Sequence, residues 1–180
     1  FAGYYGYADR PADLRKRLKA LKLKAAGTHI GLELLQGDAL KKTIDFHKTI
    51  DCKFLIVPGN SAFTDPEKSK ALADTFNALA QTLKRVGMSC GYHNHTREFT
   101  KDGDKTYWDL FAERTTKDVI LQQDCGWTFA AGFDPVEYVR MGGECLGQEL
   151  ATFEVVQHQD QQVAEPGVLR TRHQIPESVE

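Results

Sequence analysis

The feature that most constrains the fold of this chain is a regular alternation of short apolar runs with longer amphipathic ones. The apolar runs begin about every 30 residues, and each precedes a stretch with apolar residues at helical spacing. This rhythm is typical of βαβ units and predicts a parallel sheet covered by helices. A barrel and a doubly wound open sheet both satisfy it. No GxGxxG or GxxxxGK[ST] motif follows a predicted strand, which weakens the nucleotide-binding alternative.

The individual elements follow from the same pattern. We predict strands over 22–29, 54–60, 88–93 and 118–124, and helices over 11–21, 38–49, 66–85, 107–114 and from 134 onward. After Gly142 the chain is rich in glutamine and loses the alternation. Residues 153–156 are compatible with one more strand, and residues 159–180 are predicted to form a weakly structured tail.

Composition narrows the classes of protein. The 180 residues allow one sizeable domain but fall short of a whole eight-unit barrel, which needs about 250. The net charge of −2 predicts neither a nucleic-acid nor a membrane partner. The four cysteines form no CxxC pair, and Cys90 and Cys125 lie in apolar runs, so we expect buried, reduced thiols and a cytoplasmic location.

The residues that end the predicted strands carry most of the chemistry. In parallel α/β folds the functional groups collect at the carboxyl ends of the strands. Here those positions hold His29, Asn60, His93, His95 and Asp124. Four of these five side chains can bind a metal or transfer a proton.

His93, His95 and Asp124 give the sharpest local signals. The two histidines are two residues apart and face the same way if the strand continues, so their imidazoles can bind a metal or exchange protons. Asp124 ends an apolar run, where a carboxylate is costly unless it is paired or bound to a cation. The alternative for Asp124 is a helix cap, and the alternative for either histidine is a hydrogen bond to a neighbouring loop.

Other candidates are less specific. His29 and Asn60 are candidate substrate contacts that equally fit turns. Trp127 is either an apolar wall against a sugar face or a core residue. Glu98 is either a substrate-contacting carboxylate or the partner of a nearby Arg or Lys. His47 is expected to be exposed on its helix.

The sequence resembles the xylose-isomerase-like sugar phosphate isomerases and epimerases. The matching pieces occur in family order and lie at residues 1–6, 26–29, 55–58, 91–95 with 98–99, and 124–127 through 134–136. The resemblance implies a partial (β/α)8 TIM-barrel domain over residues 1–141, which begins within the second strand, and a divergent segment over 142–180. It also implies a divalent metal held by Glu, Asp, His and Glu. Asp124 corresponds to that Asp, and His93 stands where many members have the first Glu. His158 faintly matches the ligand His, and the last Glu has no counterpart.

The resemblance further implies a role in carbohydrate metabolism, as a metal-dependent isomerase or epimerase. The enzyme would abstract a proton next to the carbonyl of a sugar or sugar phosphate, through an enediolate. His93, His95 and Glu98 are the predicted catalytic residues, and His29, Asn60 and Trp127 the predicted substrate contacts. Asp124, His93 and His158 are the predicted ligands of Mn²⁺, Zn²⁺ or Co²⁺. A homo-oligomer is a further expectation.

Three alternatives remain at this point. Inosose dehydratases resemble the same barrel and begin with the same proton abstraction before they expel a hydroxyl group. The endonuclease IV family shares the barrel but needs several zinc ions and a DNA-binding surface, which the acidic composition opposes. A barrel fragment with open sheet edges and missing ligands would be catalytically inactive.

Overall fold

The computed structural model describes residues 1–146, and the side chains of residues 1–140. The longer helices and strands alternate as predicted, with three short 3₁₀ helices, a short hairpin and one additional short helix between them. In chain order they are α1 (Pro11–Ala20), β1 (Thr28–His29), α2 (Gly37–Thr49), β2 (Phe54–Val57), α3 (Ser69–Lys84), β3 (Ser89–His93), β4 (Lys101–Asp102), β5 (Lys105–Thr106), α4 (Tyr107–Arg114), β6 (Val119–Gln122), α5 (Cys125–Ala130) and α6 (Pro135–Leu146).

The main sheet has four parallel strands in the order β1-β2-β3-β6. Each strand lies beside the strand that precedes it in this sheet, without the reversal of order that defines a doubly wound sheet. Crossovers between parallel strands are almost always right-handed, and in this strand order that hand places the connecting helices on one face, as in a barrel wall. Periodicity left a barrel and a doubly wound sheet open, and this strand order is that of a barrel wall. It agrees with the partial barrel that the resemblance implied.

The amino-terminal residue extends the sheet beyond β1. The Phe1 amino group donates to the Gly27 carbonyl oxygen at 2.6 Å, and the His29 amide donates to the Phe1 carbonyl oxygen at 2.7 Å. This is the bonding pattern of a parallel neighbour.

The two faces of the sheet differ in their surroundings. On the helix-covered face, Leu55, Val57, Cys90, Tyr92 and Val119 are completely buried in the main hydrophobic core. The other face borders a cavity of about 840 Å³ that runs from the amino ends of the strands, past Ile56 and Ile120, to His29 and Gln122 at the carboxyl ends. This face is the concave side of the barrel wall.

Several local predictions need correction. The predicted strand over 22–29 shrinks to β1, because Lys22 has a positive φ of 56° and the chain is still turning out of α1 there. His47 is buried, not exposed, because the face of α2 that carries it packs against Tyr4, and the adjacent Phe46 ring of the same helix also contacts it. Cys125 is half-buried at the start of α5 rather than within a strand.

Two features bear on the ends of the domain and on membranes. The domain boundary predicted at residue 141 falls within α6, and the predicted strand at 153–156 and tail at 159–180 lie outside the described residues.

Between residues 1 and 146, none of the helices has the length and apolar character needed to cross a bilayer.

Candidate active site

Strand register brings the predicted site residues to one face of the sheet. His29 pairs with Ile56, Ile56 pairs with Gly91, and His93 pairs with Gln122. Residues in register on neighbouring strands share a face, as do residues two apart along a strand. His29, His93 and Gln122 therefore converge at the carboxyl end of the concave face, where a barrel has its active site.

Gln122 connects the two histidine rings. Its Oε1 lies 2.8 Å from His29 Nε2 and 3.1 Å from His93 Nδ1. The ring centroids of His29 and His93 are 4.6 Å apart. Because an amide oxygen only accepts hydrogen bonds, both ring nitrogens are donors in this arrangement.

His93 and Asp124 form the buried centre of the site. His93 Nε2 lies 3.9 Å from Asp124 Oδ2, and the two side chains are only 6% and 2% exposed. The other oxygen of the carboxylate, Oδ1, accepts a hydrogen bond from the Trp127 amide at 2.9 Å and so caps α5. Asp124 is therefore a helix cap, which was one of its two predicted roles, while its second oxygen faces His93 and is free to bind a cation.

Asn94 fixes the backbone of Asp124. Its Oδ1 accepts from the Asp124 amide at 2.7 Å, and its Nδ2 donates to the Asp124 carbonyl oxygen at 3.2 Å. Asn94 is completely buried. The loop after β3 thus holds the loop after β6, and the carboxylate is kept beside His93.

His95 and Trp127 lie at the edge of the site. The His95 ring is 5.0 Å from the His93 ring and 5.4 Å from the Trp127 ring, and both residues are half-buried. The two imidazoles lie together although β3 ends at His93, so His95 belongs to the loop after the strand and not to the continued strand that the sequence analysis assumed.

Glu98 and Asn60 have local partners. Glu98 is completely buried, accepts hydrogen bonds from the Tyr92 hydroxyl and the His95 amide, and lies 3.5 Å from Arg97 Nε. Asn60 Oδ1 accepts from the Ala62 amide at 2.9 Å and so begins a short 3₁₀ helix. The catalytic role of Glu98 and the substrate contact of Asn60 stay predictions. His158 lies outside the described residues.

The surroundings of His93 favour its neutral form. Burial lowers the pKa of His93 to about 4, and the nearby His29 and His95 rings add to the decrease. The Asp124 carboxylate and the Gln122 hydrogen bond oppose it only in part. At neutral pH His93 is therefore uncharged, with Nδ1 protonated and a lone pair on Nε2.

His93 and Asp124 supply two donor atoms that are close enough together to contact one metal ion. Two ligands at about 2.1 Å from one ion lie at most about 4.2 Å apart, so His93 Nε2 and Asp124 Oδ2 fit as a pair. Imidazole with carboxylate suits Zn²⁺, Mn²⁺ or Co²⁺. Within residues 1–146, however, no group of three His, Cys, Asp or Glu side chains is arranged to hold a metal. Any further ligand would have to come from elsewhere.

Two residues of this site were missed by sequence reasoning. Gln122 and Asn94 are neutral amides, which are common on protein surfaces and carry no ligand or nucleophile signal. The available clue was position: Gln122 lies two residues before Asp124, and Asn94 lies between His93 and His95. Their partners are distant in sequence, so only the pairing of β3 with β6 reveals their role.

Comparison with known proteins identifies relatives through structure. The sequence matches no protein-family profile and no curated protein. Two sugar phosphate isomerase/epimerase structures from Parabacteroides distasonis ATCC 8503 are similar. The first has a TM-score of 0.63 and 22% identity, with 72% of this chain and 52% of that chain covered. The second has a TM-score of 0.60 and 26% identity, with coverages of 71% and 57%.

Two more distant structures have the same fold. A xylose isomerase-like TIM barrel/4-hydroxyphenylpyruvate dioxygenase fusion protein matches with a TM-score of 0.54 and 15% identity, over 73% of this chain and 22% of that chain. A probable 3-DHS dehydratase involved in petrobactin synthesis in Bacillus anthracis also matches with a TM-score of 0.54. It is 12% identical, over 80% of this chain and 54% of that chain.

These likenesses establish the fold. The chain has part of the xylose isomerase-like TIM-barrel fold, and the resemblance predicted from its motifs is confirmed. It spans little more than half the length of the Parabacteroides distasonis structures. Its structural relatives include both isomerase/epimerase proteins and a probable dehydratase.

Proposed function

We propose that the carboxyl ends of β1, β3 and β6 form the acid–base part of a metal-dependent sugar or sugar phosphate isomerase/epimerase site. The observation that carries this proposal is the buried pair of His93 and Asp124, whose Nε2 and Oδ2 atoms are 3.9 Å apart. The likeness to two sugar phosphate isomerase/epimerase structures supports the choice of reaction.

The proposed chemistry is proton transfer next to a carbonyl group. A neutral imidazole accepts the proton from the carbon atom, which leaves an enediolate, and returns the proton to the neighbouring carbon or to the other face. His93 is uncharged at neutral pH because it is buried, and its one available lone pair, on Nε2, serves either as this base or as a ligand of the cation, not as both at once. His95, half-buried 5.0 Å away, is the second acid–base group that such an exchange requires.

A divalent cation is part of the proposal. We assign His93 Nε2 and Asp124 Oδ2 as two of its ligands, and His158 as a candidate third from the rest of the chain. When bound, Mn²⁺, Zn²⁺ or Co²⁺ would stabilise the negative charge that develops on the substrate oxygens. Asn94 and the cap at Trp127 hold the carboxylate in place for this purpose.

The substrate contacts complete the assignment. The ring of Trp127 lies next to His95 and offers an apolar surface to a sugar face. His29 donates through Nε2 to Gln122, which leaves Nδ1 as an acceptor for a hydroxyl group.

We also propose the cytoplasm as the location of the protein. Cys52, Cys90 and Cys125 are free cysteines, which agrees with the reduced thiols predicted from the sequence and suits a reducing compartment.

Metal binding tests the proposal directly. The purified chain, stripped with a chelator, is titrated with Co²⁺ and with Mn²⁺ beside the variants Asp124→Asn and His93→Gln. We expect about one equivalent bound by the wild type and at least a tenfold loss of affinity in both variants. Asparagine retains an oxygen that can cap α5, so the loss would not reflect a damaged helix start.

A matched control separates metal binding from capping. Asp134 also caps a helix, through the Val136 amide at 2.8 Å, but it is exposed. Asp134→Asn makes the same chemical change and should leave the affinity unchanged. Equal affinities in the wild type, Asp124→Asn and His93→Gln would refute the assignment of the ligands. If the wild type binds metal, a screen of sugars and sugar phosphates in D₂O follows.

A dehydratase is the second candidate, because the Bacillus anthracis relative is a probable enzyme of that kind. A lyase would begin with the same proton abstraction and then expel a hydroxyl group as water. Isomerase and epimerase products keep the mass of the substrate apart from deuterium uptake, whereas a lyase product is lighter by one water. Absence of both products from a metal-loaded chain would favour the inactive barrel fragment.

A further inference from the structure

The proposed reaction gives Gln122 no role of its own, although this residue lies within the site. It ends β6 opposite His93, and its Oε1 contacts both His29 Nε2 and His93 Nδ1. Gln122 touches no predicted ligand other than His93, and it is only half-buried. Its contacts therefore concern the orientation of two imidazole rings.

The hydrogen-bond chemistry of this contact fixes protons. A neutral imidazole carries one N–H, on either Nδ1 or Nε2. Since Gln122 Oε1 only accepts, the contact at 3.1 Å requires the proton of His93 to be on Nδ1. The lone pair is then on Nε2, the nitrogen that lies 3.9 Å from Asp124 Oδ2. The other tautomer would place an N–H group between the ring and the carboxylate.

We propose that Gln122 is a positioning residue that holds His93 in the Nδ1–H tautomer and keeps its Nε2 lone pair directed at Asp124. The inference rests on the proposed function, in which that lone pair binds a cation or accepts a proton. A second-shell acceptor on the far nitrogen of a metal-binding histidine commonly sets its tautomer and orientation. Here one neutral amide does this for two histidines at once, without adding charge to the site.

Nitrogen NMR reads the tautomer without any metal or substrate. The chain is labelled with ¹⁵N-histidine, kept in chelator, and recorded at pH 7.5 by long-range ¹H–¹⁵N correlation, with His93 assigned from the His93→Gln variant. We expect the Nδ1–H pattern for His93 in the wild type. In Gln122→Met, which keeps the length of the side chain but removes the acceptor, we expect a mixture of tautomers or the Nε2–H form.

A matched control and a rescue variant complete the set. Gln36→Met makes the same change at an exposed position and should leave the His93 signals unaltered. Gln122→Glu keeps an acceptor oxygen and should retain the Nδ1 proton. An Nε2–H pattern for His93 in the wild type alone would overturn the inference. So would an unchanged Nδ1–H pattern in folded Gln122→Met.

Co²⁺ affinity then separates this inference from the proposed function. If both hold, Gln122→Met should bind Co²⁺ 10- to 100-fold more weakly than the wild type and Gln36→Met, as typical for a lost outer-shell partner. Suppose that the wild type shows the Nδ1–H pattern, that Gln122→Met alters it, and that the wild type does not bind Co²⁺. This result would support Gln122 as the positioning residue and count against the metal site. Tight Co²⁺ binding with an Nε2–H pattern would do the reverse.

Discussion

At the scale of single residues, His47 shows how a buried histidine can serve the fold rather than the chemistry. Its Nδ1 donates to the Thr43 carbonyl oxygen at 2.6 Å, and its Nε2 accepts from the Tyr4 hydroxyl at 2.6 Å. The Tyr4 oxygen in turn lies 2.7 Å from Thr28 Oγ1. This chain of hydrogen bonds ties α2 to the loop after Phe1 and to β1, and it uses the neutral form of the ring.

His47 therefore makes folding stability depend on pH. Burial lowers its pKa in the folded state, whereas the unfolded chain keeps a value near 6.5. The unfolded state thus binds more protons as pH falls, so the free energy of unfolding decreases. The contribution of neutral His47 is fully present above about pH 6.5 and is lost as pH falls from there through the lower pKa of the folded state.

Replacement of His47 by Gln removes this dependence but leaves a polar side chain. Urea unfolding between pH 7.5 and 5 should show a smaller loss of stability on acidification in His47→Gln than in the wild type. The comparison cancels the titration of the other histidines, since both chains contain them. Parallel curves for the two chains would mean that His47 is not held neutral in the folded state.

The candidate site was predictable from sequence only where side chains have reactive chemistry. His29, His93, His95 and Asp124 could be grouped because strand ends meet at one edge of a parallel sheet. Gln122 and Asn94 could not, because their function depends on partners about 30 residues or more away and an amide has no distinctive pattern. The burial of His47 was not predicted for a related reason: one of the two rings that cover it belongs to Tyr4, which is 43 residues away in sequence.

At the scale of elements, long periodic segments were predicted well and short ones were not. The helix over 107–114 was predicted with the bounds of α4, which begins with a capping box between Thr106 and Asp109. The β4–β5 hairpin and α5 were missed. The hairpin strands have two residues each and α5 has six, too few for a periodic signal to emerge. The side chain of Asp124 caps the start of α5, the role that the sequence analysis kept as the alternative to a metal ligand.

The contact between β3 and β6 depends on Gly91. A Cβ atom built at Gly91 would lie 2.6 Å from Ile120 Cβ and 2.9 Å from the Ile120 carbonyl carbon, and still closer to its carbonyl oxygen. Two of these three atoms belong to the β6 backbone, so a side chain here would force the strands apart. Gly91 is thus required for the spacing that brings His93 and Gln122 together.

Replacement of Gly91 by Ala should destabilise the chain by about 1–3 kcal/mol, the usual cost of overpacking, or more because backbone must move. Denaturant unfolding measures the loss. Gly59→Ala is the matched control, since Gly59 has open space around its Cα and no left-handed φ, and it should change stability little. Equal stabilities for Gly91→Ala and Gly59→Ala would show that β6 moves aside without cost.

At the scale of the whole molecule, two hydrophobic clusters meet at Tyr4. The larger cluster lies between the sheet and α3 and α4, and it includes Cys90. The smaller one, with Leu14, Leu18, Ile50 and Cys52, lies between α1 and α2. Tyr4 packs against both, and α2 contributes Ile44 to the first and Phe46 to the second. Because α2 and Tyr4 bridge the clusters, we expect them to unfold together.

Thiol labelling tests whether the described part of the chain is one cooperative unit. Cys52 and Cys90 are 1% and 0% exposed, so each should react only when its cluster opens. Burial also raises the pKa of both thiols, that of Cys90 to about 12, which slows their reaction further in the folded state. In a Cys125→Ser/Cys145→Ser background, the two remaining thiols should therefore become reactive with the same urea dependence.

The result decides how far the partial barrel behaves as a single fold. Equal free energies and equal urea slopes for Cys52 and Cys90 mean that opening either cluster requires unfolding of the whole sheet. A smaller free energy for Cys52 would mean that α1 and α2 detach while β2, β3 and β6 stay paired. In that case β1, which carries His29, would lose its outer support first. His93, Gln122 and Asp124 on the inner strands would then survive as the more stable half of the site.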